Sequence, residues 1–394
     1  MNDHSADVIV IGLGAVGSAV AHHLARGGAR VVGIDRFHPP HKNGSSHGHT
    51  RITRLAVGEG AAFVPLVMRS HALWRELEAE TSRVLYTATG GLTIASALSD
   101  TGFFHGQAGF FARTTGIARD FSIAHELLNA AEVRHRFPQF LAGDHEAAYF
   151  EPESGVLFPE RCVAAQLQMA QRHGALLHLG EQVQSLSQQG GVVRVLTDQG
   201  PRSAPQVVLT AGAWTPGLVG GAWAQRLAVR RQVLHWWDTS EPEMYAPRRS
   251  PVFVWLHGPG PCDAMYGFPM IDGVAGVKVA TEDYGATTDP DAVDRSVSPA
   301  EVHKAYEDHV KGRLAQLQGT AVANATCLYT CTTDGNFLVD RHPEMAGLTI
   351  VSACSGHGFK HSAGLGQVVA QSLLGQTPHA DLDPFLLARQ ARGT

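Results

Sequence analysis

Residues 7–35 constrain the fold of this chain more than any other segment. Asp7-Val-Ile-Val-Ile is a short β-branched run, suited to a strand buried on both faces. The turn Gly12-Leu-Gly14-Ala-Val-Gly17 follows, then a stretch of helical composition to Arg26 and a second apolar run ending on Asp35. This order is a complete βαβ unit closed by an acid. Glycines at such a turn let backbone N–H groups approach a pyrophosphate, and the N-terminus of the helix adds its positive dipole end. Asp35 sits where it accepts hydrogen bonds from ribose hydroxyls, and its charge repels a 2′-phosphate. A glycine motif alone would be compatible with a structural turn; with both strands and the acid, it predicts a dinucleotide site.

The remainder predicts a soluble α/β protein. The 394 residues are 44% hydrophobic and 17% charged, which suits a large core and excludes gross disorder. At about 150 residues per domain the chain makes two or three domains. Lys and Arg total 31 against 36 Asp and Glu, with no basic stripe, so a nucleic-acid partner is not expected. Five cysteines do not make a disulfide scaffold in a chain this long, and they favour a reducing compartment. Mean hydropathy is −0.06, and no apolar run reaches the ~20 residues of a membrane span. The start lacks a basic segment, so a cytoplasmic location is expected.

Periodicity predicts an amphipathic helix over 62–80, with Trp74 in the core, and another over 161–173. Short strands are expected at 176–179 and 183–186, and a hairpin-like return from 192–197 to 206–210. Small residues at 210–214 suggest close backbone approach to a ligand. Segments 227–238 and 251–279 read as sheet lining a cavity, 299–317 as helical, and 348–353 as a strand that a loop joins to a helix over 362–374. Ligand-facing signals at both chain ends imply a discontinuous nucleotide domain.

Four further clusters carry chemistry. Gly44-Ser45-Ser-His47-Gly-His49-Thr50-Arg51-Ile-Thr-Arg54 is a polar, partly cationic loop, or a solvated one; a metal reading for its histidines lacks further ligands. Lys278, between Val277 and Val279, points to solvent or is held in a cavity, and composition favours solvent. Cys327 and Cys331 are small buried side chains or a covalently used thiolate. Ser355-Gly356-His357-Gly358-Phe-Lys360-His361 resembles a turn that approaches an anion or cofactor.

These residues together are recognisable. In Pro39-Pro-His-Lys-Asn-Gly44-Ser-Ser-His47-Gly-His-Thr-Arg51, Tyr266-Gly-Phe-Pro269 with its lysine, Cys327-Leu-Tyr-Thr, and Ser355-Gly-His-Gly-Phe-Lys360, the chain resembles the monomeric sarcosine oxidase and N-methyltryptophan oxidase family. That family lies within the D-amino acid oxidase-like superfamily of flavoproteins. The resemblance implies a glutathione-reductase-like (Rossmann-type) FAD domain from residues 1–90, 151–225 and 325–394. A mixed-sheet substrate domain would come from 91–150 and 226–324. FAD would be held by Gly12, Gly14, Gly17, Asp35, Arg36, Ser45, His47, Thr50, Arg51, Val183, Gly356, His357, Gly358 and Lys360. Cys327 would carry it covalently, through a thioether.

The resemblance also implies an oxidase of a secondary or N-methylated amino acid that delivers hydride to flavin N5, releases an imine and reduces oxygen to hydrogen peroxide. Arg54 and Lys360 match the pair that holds the substrate carboxylate. Lys278 matches the lysine that promotes reaction with oxygen, and Tyr266 an aromatic wall, one residue further from Lys278 than is usual. His47 would lie at the flavin ring. Two departures stand out: Glu282 replaces a histidine, and His361 an aromatic residue. A carboxylate at Glu282 would penalise a second substrate acid and favour a cationic or hydrogen-bond-donating side chain. A cyclic imino acid, or an acceptor other than oxygen, are the alternatives. The partners expected are the amino acid and oxygen, with no metal, and a monomer.

Overall fold

The computed structural model describes residues 6–388. The other residues of the expected FAD domain's ends, 1–5 and 389–394, lie outside the described residues. The first apolar run forms the strand Val8–Ile11, every residue of it buried, and the second forms Val31–Asp35. They lie side by side and parallel, joined by the helix Ala15–Arg26. A six-stranded sheet grows around them in the order Leu176–Leu179, Val31–Asp35, Val8–Ile11, Gln206–Leu209, Leu348–Ser352, Leu338–Arg341. All neighbours are parallel except the last pair. Burial on both faces explains why these strands read as continuous apolar runs rather than alternating ones.

One face of that sheet carries the helices Ala15–Arg26, Pro159–Arg172 and Ser362–Leu373. A Cβ at Gly366 would stand 2.4 Å from the Ala19 Cβ, so glycine sets how closely the first and last of these helices approach. The amphipathic stripe predicted over 62–80 forms the short turn Ala61–Phe63 and the helix Val64–Thr81, and Trp74 is buried within it.

An eight-stranded mixed sheet runs in the order Leu317–Cys331, Ala228–Thr239, Val277–Ala280, Ala264–Gly267, Val252–Leu256, Gly91–Ser96, Glu146–Glu151, Glu126–Asn129. Only Val252–Leu256 and Gly91–Ser96 pair in parallel. No described helix is long and apolar enough to cross a membrane.

Two expectations are corrected. Residues 192–197 return not to 206–210 but to Gly200–Ala204; Gln206–Leu209 instead joins the parallel sheet beside Val8–Ile11. A local alternation cannot reveal which distant strand offers free backbone groups. The segment 299–317 is helical only through Val310, first as Pro299–Ala305 with a Ser298/Glu301 capping box and then as one π turn; Leu317 begins a strand. That strand, Leu317–Cys331, places Cys327 at the edge of the eight-stranded sheet.

Candidate functional site

The glycine turn is built by exclusion. Gly12 has φ +84°, a conformation that favours glycine, and a Cβ there would meet the Thr210 carbonyl oxygen at 2.6 Å. At Gly17 a Cβ would fall 1.8 Å from the Gly12 carbonyl oxygen. The small residues at 210–214 therefore accommodate the turn itself as well as the space above it, and the Thr210 hydroxyl donates to the Gly12 carbonyl at 2.6 Å. Asp35 accepts from the Leu13 N–H at 2.7 Å and the Phe37 N–H at 2.8 Å. Burial raises its carboxyl from the usual range, and those two donors oppose the rise. Each oxygen keeps a lone pair for a further donor.

Above the turn lies a cavity of about 480 Å³, lined by Gly12, Gly14, Asp35, Arg36, Ser45 and Val183 among others. A second cavity of about 110 Å³ shares with it Ala15, Ser45, Ser46, Ala353 and Cys354, so the two adjoin between the glycine turn and the eight-stranded sheet. Arg51, Arg54, Tyr266, Glu282, Gly356, His357, Gly358 and Lys360 line the smaller part. Gly17, His47, Thr50, Lys278 and Cys327 line neither part; they stand behind the walls.

His47 is buried with its Nε2 unpartnered, and burial, with Arg51 nearby, lowers its pKa to about 3, so the ring is neutral. Lys278, for which composition favours solvent, is buried instead. The loop at residues 48–50 and the rings of Trp236 and Phe268 pack around its ammonium and close it off from water. The Lys278 ammonium donates to the Gly48 carbonyl at 2.7 Å, the Thr50 carbonyl at 3.1 Å and the Thr50 hydroxyl at 3.2 Å. It stands 4.7 Å from the centre of the Phe268 ring. Burial, helped by the Arg51 charge, pulls its pKa well below the lysine range. Burial raises the Cys327 thiol, and Arg51 and Lys278 act against it.

The most concentrated charge was not legible in the sequence. Arg54 and Lys360 converge on Glu59, which accepts from the Arg54 guanidinium at 2.8 and 3.0 Å and from the Lys360 ammonium at 3.1 Å. All three are buried. Burial lowers the Lys360 pKa to about 8, with the Glu59 charge restraining the fall. His105 completes the cluster, its two ring nitrogens each 3.0 Å from a carboxylate oxygen, one of Glu59 and one of Glu282. Tyr284 donates to Glu282 at 2.6 Å, and Tyr329 lies against both Glu282 and Tyr266. Gly356, φ +85°, lets the turn at residues 355–358 approach: a Cβ there would meet the Tyr284 hydroxyl at 2.9 Å and Glu282 at 3.0 Å. His361, a departure noted in the sequence, is fully buried against Phe63 and Phe337. Glu59 and His105 sit in segments without a motif; only the proximity of Glu59 to Arg54 was a signal.

The donor set fits a flavin dinucleotide. The turn, the carboxylate with spare acceptor capacity and the two adjoining cavities suit such a molecule. No described group of three or more His, Cys, Asp or Glu is arranged to hold a metal ion.

Comparison with known proteins agrees. Residues 7–372 match the family profile described as FAD dependent oxidoreductase, DAO. Monomeric sarcosine oxidase of Streptomyces avermitilis is 39% identical over 377 residues, 95% of each chain. N-methyl-L-tryptophan oxidase of Salmonella newport is 28% identical over 97% of this chain and 98% of its own. Among solved structures, NikD, an unusual amino acid oxidase of nikkomycin biosynthesis, superposes with a TM-score of 0.80 at 23% identity, covering 97% of both chains.

Proposed function

The chain belongs to the FAD-dependent oxidoreductase family, and on that premise we propose that it oxidises a secondary or N-methylated amino acid at the carbon beside nitrogen, with oxygen as acceptor. One observation carries this reading: Arg54 and Lys360, from opposite ends of the chain, both line the small cavity and meet at a single buried carboxylate, Glu59, outside its lining. A site that presents two buried cations to one carboxylate is suited to a ligand carboxylate. Each charged donor is worth about 1.5–3 kcal/mol to an anion leaving water. Lys360 keeps one N–H beyond its bonds to Glu59 and the His357 carbonyl.

Gly12, Gly14, Gly17, Asp35, Arg36 and Val183 would hold the ADP half of FAD. Ser45, His47, Thr50, Arg51, Gly356, His357, Gly358 and Lys360 would surround the ring. When bound, the flavin would supply the two-electron chemistry, as hydride acceptor from the substrate carbon and electron donor to oxygen. The protein binds the carboxylate through Arg54 and Lys360 and walls the site with Tyr266. Through Lys278 it would supply a buried ammonium to offset negative charge developing on oxygen. Neutral His47 puts no competing charge there.

Cys327 carries the flavin through a thioether in this reading. Acid-precipitated protein should come down yellow, and the Cys327→Ala variant should release all colour to the supernatant. A colourless wild-type precipitate would remove the bond. The reaction itself is tested by a peroxide-coupled screen of N-methyl, cyclic and primary amino acids. Oxygen uptake with equimolar peroxide for an N-methyl substrate is expected. Reduction of an added dye without peroxide would make the enzyme a dehydrogenase.

A further inference from the structure

The strands Phe103–Phe104 and Gln107–Ala108 form a two-stranded hairpin whose tip points inward. His105 in that tip is only 7% exposed and has φ +50°, a left-handed conformation that non-glycine residues seldom adopt. The surroundings hold it there. A Cβ on Gly335 would come within 2.3 Å of the His105 carbonyl oxygen, and one on Gly106 within 2.8 Å of the Asp334 carbonyl oxygen. Such strain persists only where packing imposes it, and it clusters at functional sites.

The imidazole lies between two carboxylates, Nδ1 3.0 Å from Glu59 and Nε2 3.0 Å from Glu282. A carboxylate can only accept, so both nitrogens must donate, which requires the doubly protonated ring. Burial disfavours that charge, but Glu282 and Glu59 together outweigh it and raise the His105 pKa. The other groups packed here are Arg54 and Lys360, which are cationic, and His357 and His361, which burial keeps neutral. The tyrosines at 266, 284 and 329 stay protonated, pushed up by burial. Around Glu59 and Glu282, three cations therefore face two carboxylates, and that cluster is left with one positive charge; the Arg51 guanidinium, also in the cavity wall, donates instead to the Thr50 and Ser45 carbonyls.

We infer that His105 is the specificity-determining residue of this site: clamped between Glu59 and Glu282, it cancels the Glu282 charge, so the cavity takes an amino acid with one carboxylate and a neutral side chain. The inference rests on the proposed oxidation of N-methyl amino acids and names the substrate class within it. It reverses the preference for a cationic side chain that Glu282, considered alone, suggests.

The test compares kcat/KM for N-methyl-L-alanine, Nα-methyl-L-lysine and N-methyl-L-aspartate in the flavin-loaded wild type, His105→Gln, Glu282→Gln and the double variant. The wild type should favour the neutral substrate at least a hundredfold over either charged one. In His105→Gln the lysine-to-alanine ratio should rise at least tenfold, mainly through KM, and the double variant should lose that gain. Glu282→Gln should instead raise the aspartate-to-alanine ratio at least tenfold, which keeps the test open if His105→Gln does not fold. A purely structural role for His105 would move all three substrates together. Unmoved ratios, or a gain for lysine in Glu282→Gln, would overturn the inference and leave the oxidase reading intact. A wild type that oxidises no N-methyl amino acid would overturn both.

Discussion

Replacing Lys278 by methionine slows reoxidation of the reduced enzyme by oxygen about a thousandfold, with ligand affinity changed only a few-fold. The magnitude follows from Coulomb's law: a unit charge ~4 Å from developing superoxide is worth roughly 4 kcal/mol at an effective dielectric of 20, or about three decades in rate. Methionine has nearly the same length and removes only the charge and its donors. Lys278 does not line the substrate cavity, so ligand binding should be spared. A pH dependence accompanies the effect. Burial and Arg51 hold the Lys278 pKa well below the lysine range, and the ammonium exists only below that lowered value. Wild-type reoxidation should therefore fall as pH rises through it, while Lys278→Met stays flat. Stopped-flow mixing of reduced enzyme with oxygen across pH measures both, and unchanged oxygen kinetics would take the lysine out of that role.

Glu59→Gln is expected to cost about 3–5 kcal/mol of folding stability, the penalty for breaking a buried ion pair from one side. Glu59 bonds Arg54, Lys360 and His105 at once, and its loss leaves three buried cations facing Glu282 alone. The acid limb should change too. Burial opposes ionisation of Glu59, yet Arg54 and Lys360 prevail and hold its carboxyl well below the usual range. A carboxyl lowered on folding contributes stability above its unfolded pKa and loses it as pH falls through the folded value. Wild-type stability should therefore decline in acid more steeply than that of Glu59→Gln. Urea unfolding at neutral and acid pH checks this, and equal stability of the two proteins at neutral pH would show that the cluster is held by other contacts.

What could be read from the sequence was local: the βαβ unit with its glycines and Asp35, the apolar stripe that buries Trp74, the helix that begins near Ser362. Each depends on backbone conformation, on a helical or strand period, or on residues a few positions apart, and one chain carries that information by itself. The strand partner of Gln206–Leu209 was not of this kind, because any strand with open backbone groups satisfies the same local pattern. Nor was the burial of Lys278, since a residue in a strand faces in or out according to what later packs against that sheet.

The candidate site divides in the same way. Arg54, Lys360, Tyr266 and Glu282 were nominated from motifs, whereas Glu59 and His105, which tie them together, lie in segments without one. Residues 59, 105, 282 and 360 meet only because a loop, a hairpin, a strand end and a helix start are packed around one cavity. The amino-acid order determined the cofactor turn and the types of charge available. Which charges face one another, and so what the cavity's net charge asks of a ligand, was decided by tertiary packing, because electrostatic pairing acts over a few ångströms of space and takes no account of distance along the chain.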